Sequence, residues 1–587
     1  METSEKLHNL RHSLAHLMAA AVIEMYPDTK ATIGPVIEDG FYYDFEFKSP
    51  ISDKDLPKIE KKMREILKTW KEFTHEEKTQ KEALKYFENN EYKTELINEI
   101  ENKDEKITFY TCGNFTDLCR GGHVENPSKE IKPDSFKLDR VAGAYWRGDE
   151  KNKMLTRIYG LAFETKEELE NYLKLREEAE KRDHRKLGKD LGLFIFSDVI
   201  GKGLPLWTEK GTIIRRELER FIVDEEIKRG YKHVCTPDIA KIELYKKSGH
   251  YPYYKDSMYA PIKIDEEEFM LRPMACPHHF ELYLNKPHSY KELPIRIAEL
   301  AKLYRYEQSG ELTGLMRVRS FCLADAHIIC TGPKQAGEEV NSALDLIEYI
   351  ANVFGLKMGQ NYGYRLSLGD RTNSEKYYKN DKAWDEAEAI LRQVLKERKA
   401  SFVEAPAEAA FYGPKIDIQM KNIRGKEETA FTVQYDFVMP ERFNLNYIDK
   451  EGNEKRTIVV HRSSIGAIER VMAFLIEHYA GAFPLWLSPV QAKVLPISTD
   501  KHLEFAGTVS KLLKDAGIRV ELDESNESLG KKIRDAKMQK IPYLVVIGDK
   551  EKESNTMTVE GRNNEKLEGI TPADFLAKLK KEIEDKK

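Results

Sequence analysis

Three residues in the middle of the chain carry side chains that zinc binds well: Cys276, His327 and His461. One thiolate and two imidazoles could hold Zn²⁺ and leave its fourth position open for a substrate. Spacing alone does not indicate a shared site, because 51 and 134 residues separate the three and isolated buried Cys and His are common. The sequence motifs around the three residues make the set informative, because each residue lies near other side chains that could take part in catalysis or binding.

These sequence motifs follow one another along the chain. Leu300–Glu307 is followed by Gly314–Phe321, and Gly466–Arg470 comes shortly after His461. A weaker match, Gly230–Pro237, precedes them. In this order, and with the Cys and His between them, they resemble the signature elements of class II aminoacyl-tRNA synthetases, specifically those of the threonyl-tRNA synthetases. The resemblance runs over almost the whole chain. It implies an enzyme that uses ATP with Mg²⁺, and one Zn²⁺ in the catalytic domain, to join L-threonine to the threonine tRNA.

The resemblance also implies roles for the residues of these motifs. Activation of an amino acid is attack of its carboxylate on the α-phosphate of ATP, and planar guanidinium groups bind such anions bidentately. Arg305 would bridge the carboxylate and the α-phosphate, while Arg317 and Arg470 would hold the distal phosphates. Phe321 would stack on adenine, and Glu307 would accept a hydrogen bond from the adenine amino group.

An open zinc would explain how threonine is selected. Zinc would bind the amino group and the β-hydroxyl of threonine, and Asp325 would accept the hydroxyl proton. Valine lacks the hydroxyl, so such a site would favour threonine over valine by a factor of about 10⁴–10⁵. Serine lacks only a methyl group, worth about 1–3 kcal/mol, so a second, hydrolytic site is expected. Three weaker matches to the family are also present. Tyr412 would line the threonine pocket, Gln434 would contact ATP, and His250 would act in the transfer of threonine to the tRNA. Tyr412 could equally mark a tight turn before a strand, and a lone His such as His250 is often incidental.

A second group of ligand-type side chains begins near the N-terminus. His12 and His16 lie four residues apart in an apolar helical stretch, so both imidazoles lie on one face of the helix. Cys119 and His123 follow far downstream. The four side chains could close a tetrahedral zinc site, be polar core residues, or position a hydrolytic water. The resemblance implies the editing domain that threonyl- and alanyl-tRNA synthetases share. We expect it to hydrolyse seryl-tRNA without a metal; a metal site and an inert remnant are the alternatives. The predicted pocket comprises His12, His16, Lys93, Asp117, Cys119 and His123.

Length and composition set the bounds of these predictions. A chain of 587 residues is too long for one core, so several domains are expected. Six cysteines without a close-spaced framework favour a reducing compartment. No apolar run approaches the roughly 18–20 residues of a membrane span. A net charge of −5 neither requires nor excludes a nucleic-acid partner. We therefore expect a soluble, cytoplasmic protein without membrane contact.

The patterning divides the chain into four segments. Residues 1–165 mix helix and strand, and the resemblance makes them an α+β editing domain. Residues 166–190 would form a charged linker helix, and residues 191–487 would form the catalytic domain around the class II antiparallel sheet. In residues 488–587, strands alternate with helices, which predicts parallel strands joined by crossover helices. This segment resembles the anticodon-binding domain of the family. The whole is therefore a multidomain α/β and α+β protein.

Several finer expectations rest on the resemblance alone. The first signature element forms the dimer interface in class II enzymes, which predicts a homodimer. Asn526, Glu527 and Arg562 are candidates for reading the unstacked bases of the anticodon loop. We expect the small ubiquitin-like domain of many bacterial relatives to be absent. Leu323 stands where those relatives commonly carry Gln, and Ala467 where they commonly carry Ser, so either could change contacts in the threonine pocket.

Overall fold

The computed structural model describes residues 5–422, 425–563 and 565–587. The chain forms two compact units, Met1–Glu177 and Glu178–Lys587. The boundary lies within the helix Lys166–Arg182. The segment predicted as one linker helix, residues 166–190, holds this helix and a second one, His184–Asp190, with Asp183 between them. Among the described residues, no helix combines the length and the apolar character needed to cross a membrane.

The first unit is α+β, as predicted. Its core joins the helix Glu5–Met25 to a five-stranded antiparallel sheet. The helix forms because small and apolar side chains fill most of its length, and Leu14, Leu17 and Met18 are fully buried. The strands of this sheet are Lys30–Ala31, Val36–Ile37, Gly40–Glu46, Phe136–Tyr145 and Met154–Ala162. A separate three-stranded antiparallel sheet comprises Thr74–Glu77, Thr108–Cys112 and Phe115–Leu118. The other helices are Leu56–Leu67, Gln80–Tyr86, Glu91–Asn102 and Pro127–Glu130.

An eight-stranded, mostly antiparallel sheet forms the centre of the second unit, which confirms the predicted class II arrangement. Only the pairs at its two ends are parallel. Its strands, in spatial order, are Lys232–His233, Ile295–Tyr304, Ser320–Cys330, Ile458–Ala467, Glu427–Asp436, Lys415–Lys421, Tyr362–Ser367 and Phe402–Ala405. Helices that contribute to the same core include Glu209–Lys228, Pro333–Val353, Asp381–Glu397 and Ile468–His478.

Smaller elements surround this sheet. A three-stranded antiparallel sheet comprises Ile239–Lys241, Ile262–Ile264 and Glu267–Leu271. Two strand pairs are Phe194–Ile195 with Leu206–Trp207, and Asn446–Ile448 with Glu454–Arg456. Short helices are His184–Asp190, Ile242–Ser248, His250–Tyr253, Cys276–Leu284 and Met439–Phe443.

The C-terminal region has its own core and sheet. The strands Val520–Leu522, Ala492–Pro496 and Tyr543–Ile547 are parallel, as the alternation of strand and helix predicts. Two further strands, Met557–Gly561 and Lys566–Ile570, add antiparallel pairs that the sequence did not predict. The helices are Thr499–Asp515, Leu529–Met538, Asp549–Ser554 and Pro572–Glu584.

Candidate active site

The central strands bring the three predicted zinc ligands together. His327 and His461 are register partners on adjacent antiparallel strands. Cys276 is the first residue of the helix Cys276–Leu284. One donor atom from each residue lies within 4.8 Å of the other two, and all three side chains are buried. The set therefore fits a zinc ion with three protein ligands and one open position.

Hydrogen bonds determine which nitrogen of each imidazole remains free for a metal. His461 Nε2 lies 2.7 Å from Asp436 Oδ2, and His327 Nδ1 lies 2.8 Å from His279 Nδ1. His461 Nδ1 and His327 Nε2 are the nitrogens left to join the Cys276 sulfur. Burial raises the pKa of the Cys276 thiol well above its ordinary value, so a cation is needed to keep a thiolate there. Sequence reasoning missed Asp436 and His279, because both act through tertiary contacts.

One cavity of about 650 Å³ is lined by every residue that was predicted to bind ATP, threonine or zinc. Its lining includes both the predicted zinc ligands Cys276, His327 and His461, called the metal-ligand set below, and the arginines of the signature elements. The lining includes His250, Cys276, Arg305, Glu307, Arg317, Phe321, Asp325, His327, Tyr412, Gln434, His461 and Arg470.

The cavity concentrates positive charge. Arg305 directly follows the strand Ile295–Tyr304, and its guanidinium lies over the Phe321 ring at 5.2 Å. Arg470 donates to the carbonyls of Met316 at 3.1 Å and Thr429 at 2.8 Å. Burial lowers the pKa of Arg470, and the neighbouring positive charges of Arg305 and Arg317 lower it further. Bringing these cations together is unfavourable, and a polyphosphate would relieve their repulsion.

The candidate threonine residues lie beside the metal-ligand set. Asp325 is 8% exposed, and burial raises the pKa of its carboxyl group. The Tyr412 ring stacks on His461 at 5.0 Å, and its hydroxyl bonds the side chain of Gln434. The turn interpretation also fits, because the Gly413 N–H donates to the Ala410 carbonyl at 3.3 Å. A Cβ on Gly413 would lie 1.8 Å from the Tyr435 carbonyl oxygen. That close approach requires glycine just before the strand that begins at Lys415.

Three other cavity residues have distinct surroundings. His250 is buried, its Nδ1 lies 2.7 Å from Ser248 Oγ, and burial lowers its pKa to about 3. Leu323 and Ala467 both line the cavity and are register partners on adjacent strands. The two departures from the family pattern therefore face the same space as a pair.

The loop that carries Arg317 is held by a residue the sequence did not single out. His184 is buried, bonds Glu477 through Nδ1 at 2.7 Å, and accepts the Leu315 N–H through Nε2 at 3.1 Å. A Cβ on Gly314 would lie 2.2 Å from that Nε2, so glycine is needed for the approach. Among the described residues, Arg317 makes only long ion pairs, at 3.6 Å to Glu311 and 4.0 Å to Glu307.

The four ligand-type residues of the first unit also converge. Cys119 Sγ lies 3.5 Å from His12 Nε2 and 3.2 Å from His123 Nε2, and one donor atom of His16 lies within 4.8 Å of the others. A cavity of about 430 Å³ is lined by His12, His16 and Cys119 together with Lys93 and Asp117.

His123 contacts this cluster from one side without lining the cavity. Its ring stacks on Phe73 at 3.9 Å and on His12 at 4.4 Å. Burial lowers the pKa of His123 to about 2 and that of His16 well below its ordinary value. The imidazoles are therefore neutral at pH 7.

A buried ion pair forms another wall of the same cavity. Lys93 pairs with Asp117, and their side chains are 3% and 5% exposed. Tyr43 donates its hydroxyl to Asp117 Oδ2 at 2.5 Å. Sequence reasoning missed Tyr43, which lies among other aromatic residues in the strand Gly40–Glu46 and carries no motif.

The anticodon candidates do not form one cluster. Asn526 and Glu527 precede the helix Leu529–Met538, and Glu527 pairs with Lys531 at 2.6 Å. The Arg562 guanidinium instead donates to the backbone carbonyls of Phe483 and Lys540. Their role in reading RNA stays a prediction.

Full-length relatives match this chain closely. A threonine–tRNA ligase from Geobacillus sp. (strain WCH70) is 50% identical over 581 residues, which cover 99% of this chain and 89% of that protein. The chain belongs to the threonine–tRNA ligase family. A second threonine–tRNA ligase, from Staphylococcus carnosus (strain TM300), is 49% identical over 586 residues, covering 100% of this chain and 89% of the relative.

The regions that match family models agree with the domains of a threonine–tRNA ligase. Residues 259–479 match the class II tRNA synthetase core domain (G, H, P, S and T), and residues 491–582 match the anticodon binding domain. Residues 107–159 match the threonyl and alanyl tRNA synthetase second additional domain. A crystal structure of the RNA binding domain of threonyl-tRNA synthetase from Cryptosporidium parvum Iowa II is also similar. Its TM-score is 0.64 at 36% identity, covering 68% of this chain and 98% of that one.

Proposed function

We propose that this member of the threonine–tRNA ligase family attaches L-threonine to the threonine tRNA in two steps. One observation carries the proposal: the buried Cys276, His327 and His461 open on the same cavity as Arg305 and Arg470. That arrangement would hold the amino acid beside the α-phosphate of ATP. Catalysis would then depend on positioning and charge stabilisation.

In the first step a carboxylate oxygen of threonine attacks the α-phosphorus, and the bond to the β-phosphate breaks to release pyrophosphate. Arg305 would contact the carboxylate and the α-phosphate, and Arg317 and Arg470 the departing phosphates with their Mg²⁺. Phe321 and Glu307 would hold the adenine. Because the ion pairs of Arg317 with other described residues are long, it is free to turn toward the nucleotide.

Threonine selection would depend on the metal-ligand set. Bound there by Cys276, His327 and His461, Zn²⁺ would supply a Lewis-acidic position for the amino group and hydroxyl of threonine. The Asp325 carboxylate would accept the hydroxyl proton, and Tyr412 would cover the pocket. Valine offers no hydroxyl to either group, which gives the expected discrimination.

In the second step a ribose hydroxyl at the tRNA 3′ end attacks the carbonyl carbon of the adenylate, and AMP leaves. His250 is the candidate residue at this step. With a pKa lowered by burial to about 3 it is neutral at pH 7, so it could hydrogen-bond the ribose hydroxyl without adding charge.

We also propose that the first unit hydrolyses mischarged seryl-tRNA. Neutral His12 and His16, which line the cavity beside Cys119, can orient a water molecule there, and the Lys93–Asp117 pair forms another wall of the same cavity. His123, which does not line the cavity, stacks on His12 at 4.4 Å. The same four donors could instead hold a metal, and elemental analysis distinguishes the two. We propose hydrolysis by a positioned water, as the resemblance to the threonyl type of this editing domain implies.

Assembly and location complete the proposal. We propose a cytoplasmic homodimer that uses the Gly230–Pro237 segment at its interface, and light scattering should give twice the 68.1 kDa chain mass. All six cysteines are free, which suits a reducing compartment.

Aminoacylation with threonine, ATP and threonine tRNA tests the overall activity. The purified chain should form threonyl-tRNA, and Arg305→Ala should abolish it because the carboxylate and α-phosphate lose their shared contact. Arg216→Ala is the matched control, since the Arg216 side chain is 54% exposed and its one ion pair among the described residues is with Glu217. Equal losses in both variants, or no charging by the parent chain, would contradict the proposal.

A further inference from the structure

A chain of hydrogen bonds leads from the metal-ligand set into the protein. His327 Nδ1 lies 2.8 Å from His279 Nδ1, and His279 Nε2 lies 3.1 Å from Glu299 Oε2. Glu299 also accepts from the Thr236 N–H at 3.0 Å and hydroxyl at 2.8 Å, and from Arg272 Nη1 at 3.1 Å. His279 is 0% and Glu299 3% exposed, so water does not compete for these contacts.

The carboxylate at the end of this chain sets the direction of every hydrogen bond in it. Burial by itself would raise the pKa of Glu299, but hydrogen bonds from His279 and Thr236 lower it to about 2. An ionised carboxylate only accepts, so His279 donates its Nε2–H. The neutral His279 ring then has a lone pair on Nδ1, which accepts the Nδ1–H of His327. The remaining lone pair of His327 is on Nε2, the nitrogen left to join Cys276 and His461 in binding a metal.

The fold explains why a histidine occupies this place. Ile297 is the register partner of His327, which puts Glu299 two residues along the neighbouring strand. His279 lies three residues after Cys276 on one helix, so it reaches toward the same group of side chains. His461 is oriented differently, by direct contact with Asp436 at 2.7 Å. The imidazoles of His327 and His461 are therefore oriented by two separate hydrogen-bond contacts.

We propose that His279, anchored by Glu299, is a positioning residue that fixes the ring and tautomer of His327 for zinc binding. The inference rests on the proposed zinc site and adds a residue outside the predicted ligand set. Removing such an orienting partner typically weakens metal binding about 10–100-fold.

The chain offers a matched control beside His279. His278 is the adjacent histidine, 8% exposed, and neither of its ring nitrogens has a hydrogen-bond partner among the described residues. Substituting it removes a buried imidazole from the same helix turn without touching His327. A conservative variant is also available, because the Asn side chain of His279→Asn can place an oxygen acceptor near the Nδ1 position.

Zinc affinity of the full-length protein tests the proposal by competition with a chromophoric chelator. His279→Leu should raise the zinc Kd about 10–100-fold, His278→Leu should leave it near the parent value, and His279→Asn should recover much of the loss. The KM for threonine should rise in His279→Leu while the KM for ATP stays unchanged. Thermal unfolding of each zinc-loaded variant checks that the fold is intact.

The outcomes separate this inference from the proposed function. Equal zinc affinities for His279→Leu and His278→Leu, or no recovery in a folded His279→Asn, would overturn the positioning role alone. A parent protein that binds no zinc would overturn the zinc site itself and the inference with it.

Discussion

His327 and His461 face each other across adjacent antiparallel strands, with ring centroids 4.6 Å apart and the rings at 89°. They are 134 residues apart in sequence, so the register of the sheet creates this part of the site. A slip of one residue would turn one imidazole to the opposite face. The metal-ligand set is therefore a property of strand pairing as much as of residue type.

The first prediction concerns metal content. Elemental analysis should find close to one zinc per chain, because one set of three donors lines the cavity proposed to bind ATP and threonine. Cys276→Ser or His461→Ala should remove the zinc and threonine activation together. Cys235→Ser is the control, since Cys235 is exposed and outside this set. If His12→Ala removed the only metal, the zinc would belong to the first unit.

The second prediction concerns the phosphate contacts of Arg470. Its guanidinium is held by the carbonyls of Met316 and Thr429, a geometry that the single ammonium of lysine cannot reproduce. Arg470→Lys should therefore lower the rate of ATP–pyrophosphate exchange about 10²–10³-fold. An exchange rate equal to that of the parent enzyme would show that Arg470 does not contact the phosphates.

The elements with local patterning were predicted well from sequence. The largely apolar run from Ile295 to Arg305 predicts a strand that carries Arg305, and the observed strand ends one residue earlier, at Tyr304. The parallel strands of the C-terminal region also follow the predicted alternation. The antiparallel strand Lys566–Ile570 was missed because it has only five residues, three of which (Lys566, Glu568 and Gly569) are of types that are depleted in strands.

Predictions of site residues depended on the resemblance, since spacing could not join Cys276 to His461. Residues that act only through tertiary contacts gave no sequence signal. Tyr43 bonds Asp117 from a strand 74 residues earlier, and His279 contacts His327 across 48 residues. Such partners follow from strand register and helix placement, which a single sequence does not specify.

The third prediction separates editing from synthesis. Cys119→Ala and His16→Ala should leave threonyl-tRNA formation nearly unchanged, because neither residue lines the cavity with Arg305 and Arg470. Given serine, ATP and threonine tRNA, these variants should accumulate seryl-tRNA. Cys112→Ala is the control, as Cys112 is buried in the same unit but does not line the editing cavity. Undiminished hydrolysis of seryl-tRNA would leave the first unit as a tRNA-binding remnant.

The fourth prediction concerns pH. Burial lowers the pKa of His123 to about 2, whereas a histidine in the unfolded chain titrates near about 6.5. Above that pH both states are neutral and His123 contributes no pH dependence. Below it the unfolded chain binds a proton that the folded chain does not, so stability falls as pH decreases from about 6.5 toward 2. The thermal midpoint of the first unit should therefore fall less between pH 7 and pH 5 in His123→Gln than in the parent. Identical pH dependence would contradict the burial of a neutral His123.

The most direct test of the central claim is ATP–pyrophosphate exchange with threonine, serine and valine as alternative substrates. If threonine is held by a hydroxyl-binding site at Cys276, His327 and His461, threonine should support rapid exchange and serine measurable exchange. The exchange rate with valine should be about 10⁴-fold lower than with threonine, because valine leaves the hydroxyl-binding groups without a partner. Comparable exchange with valine and threonine would contradict a threonine site built on this metal-ligand set.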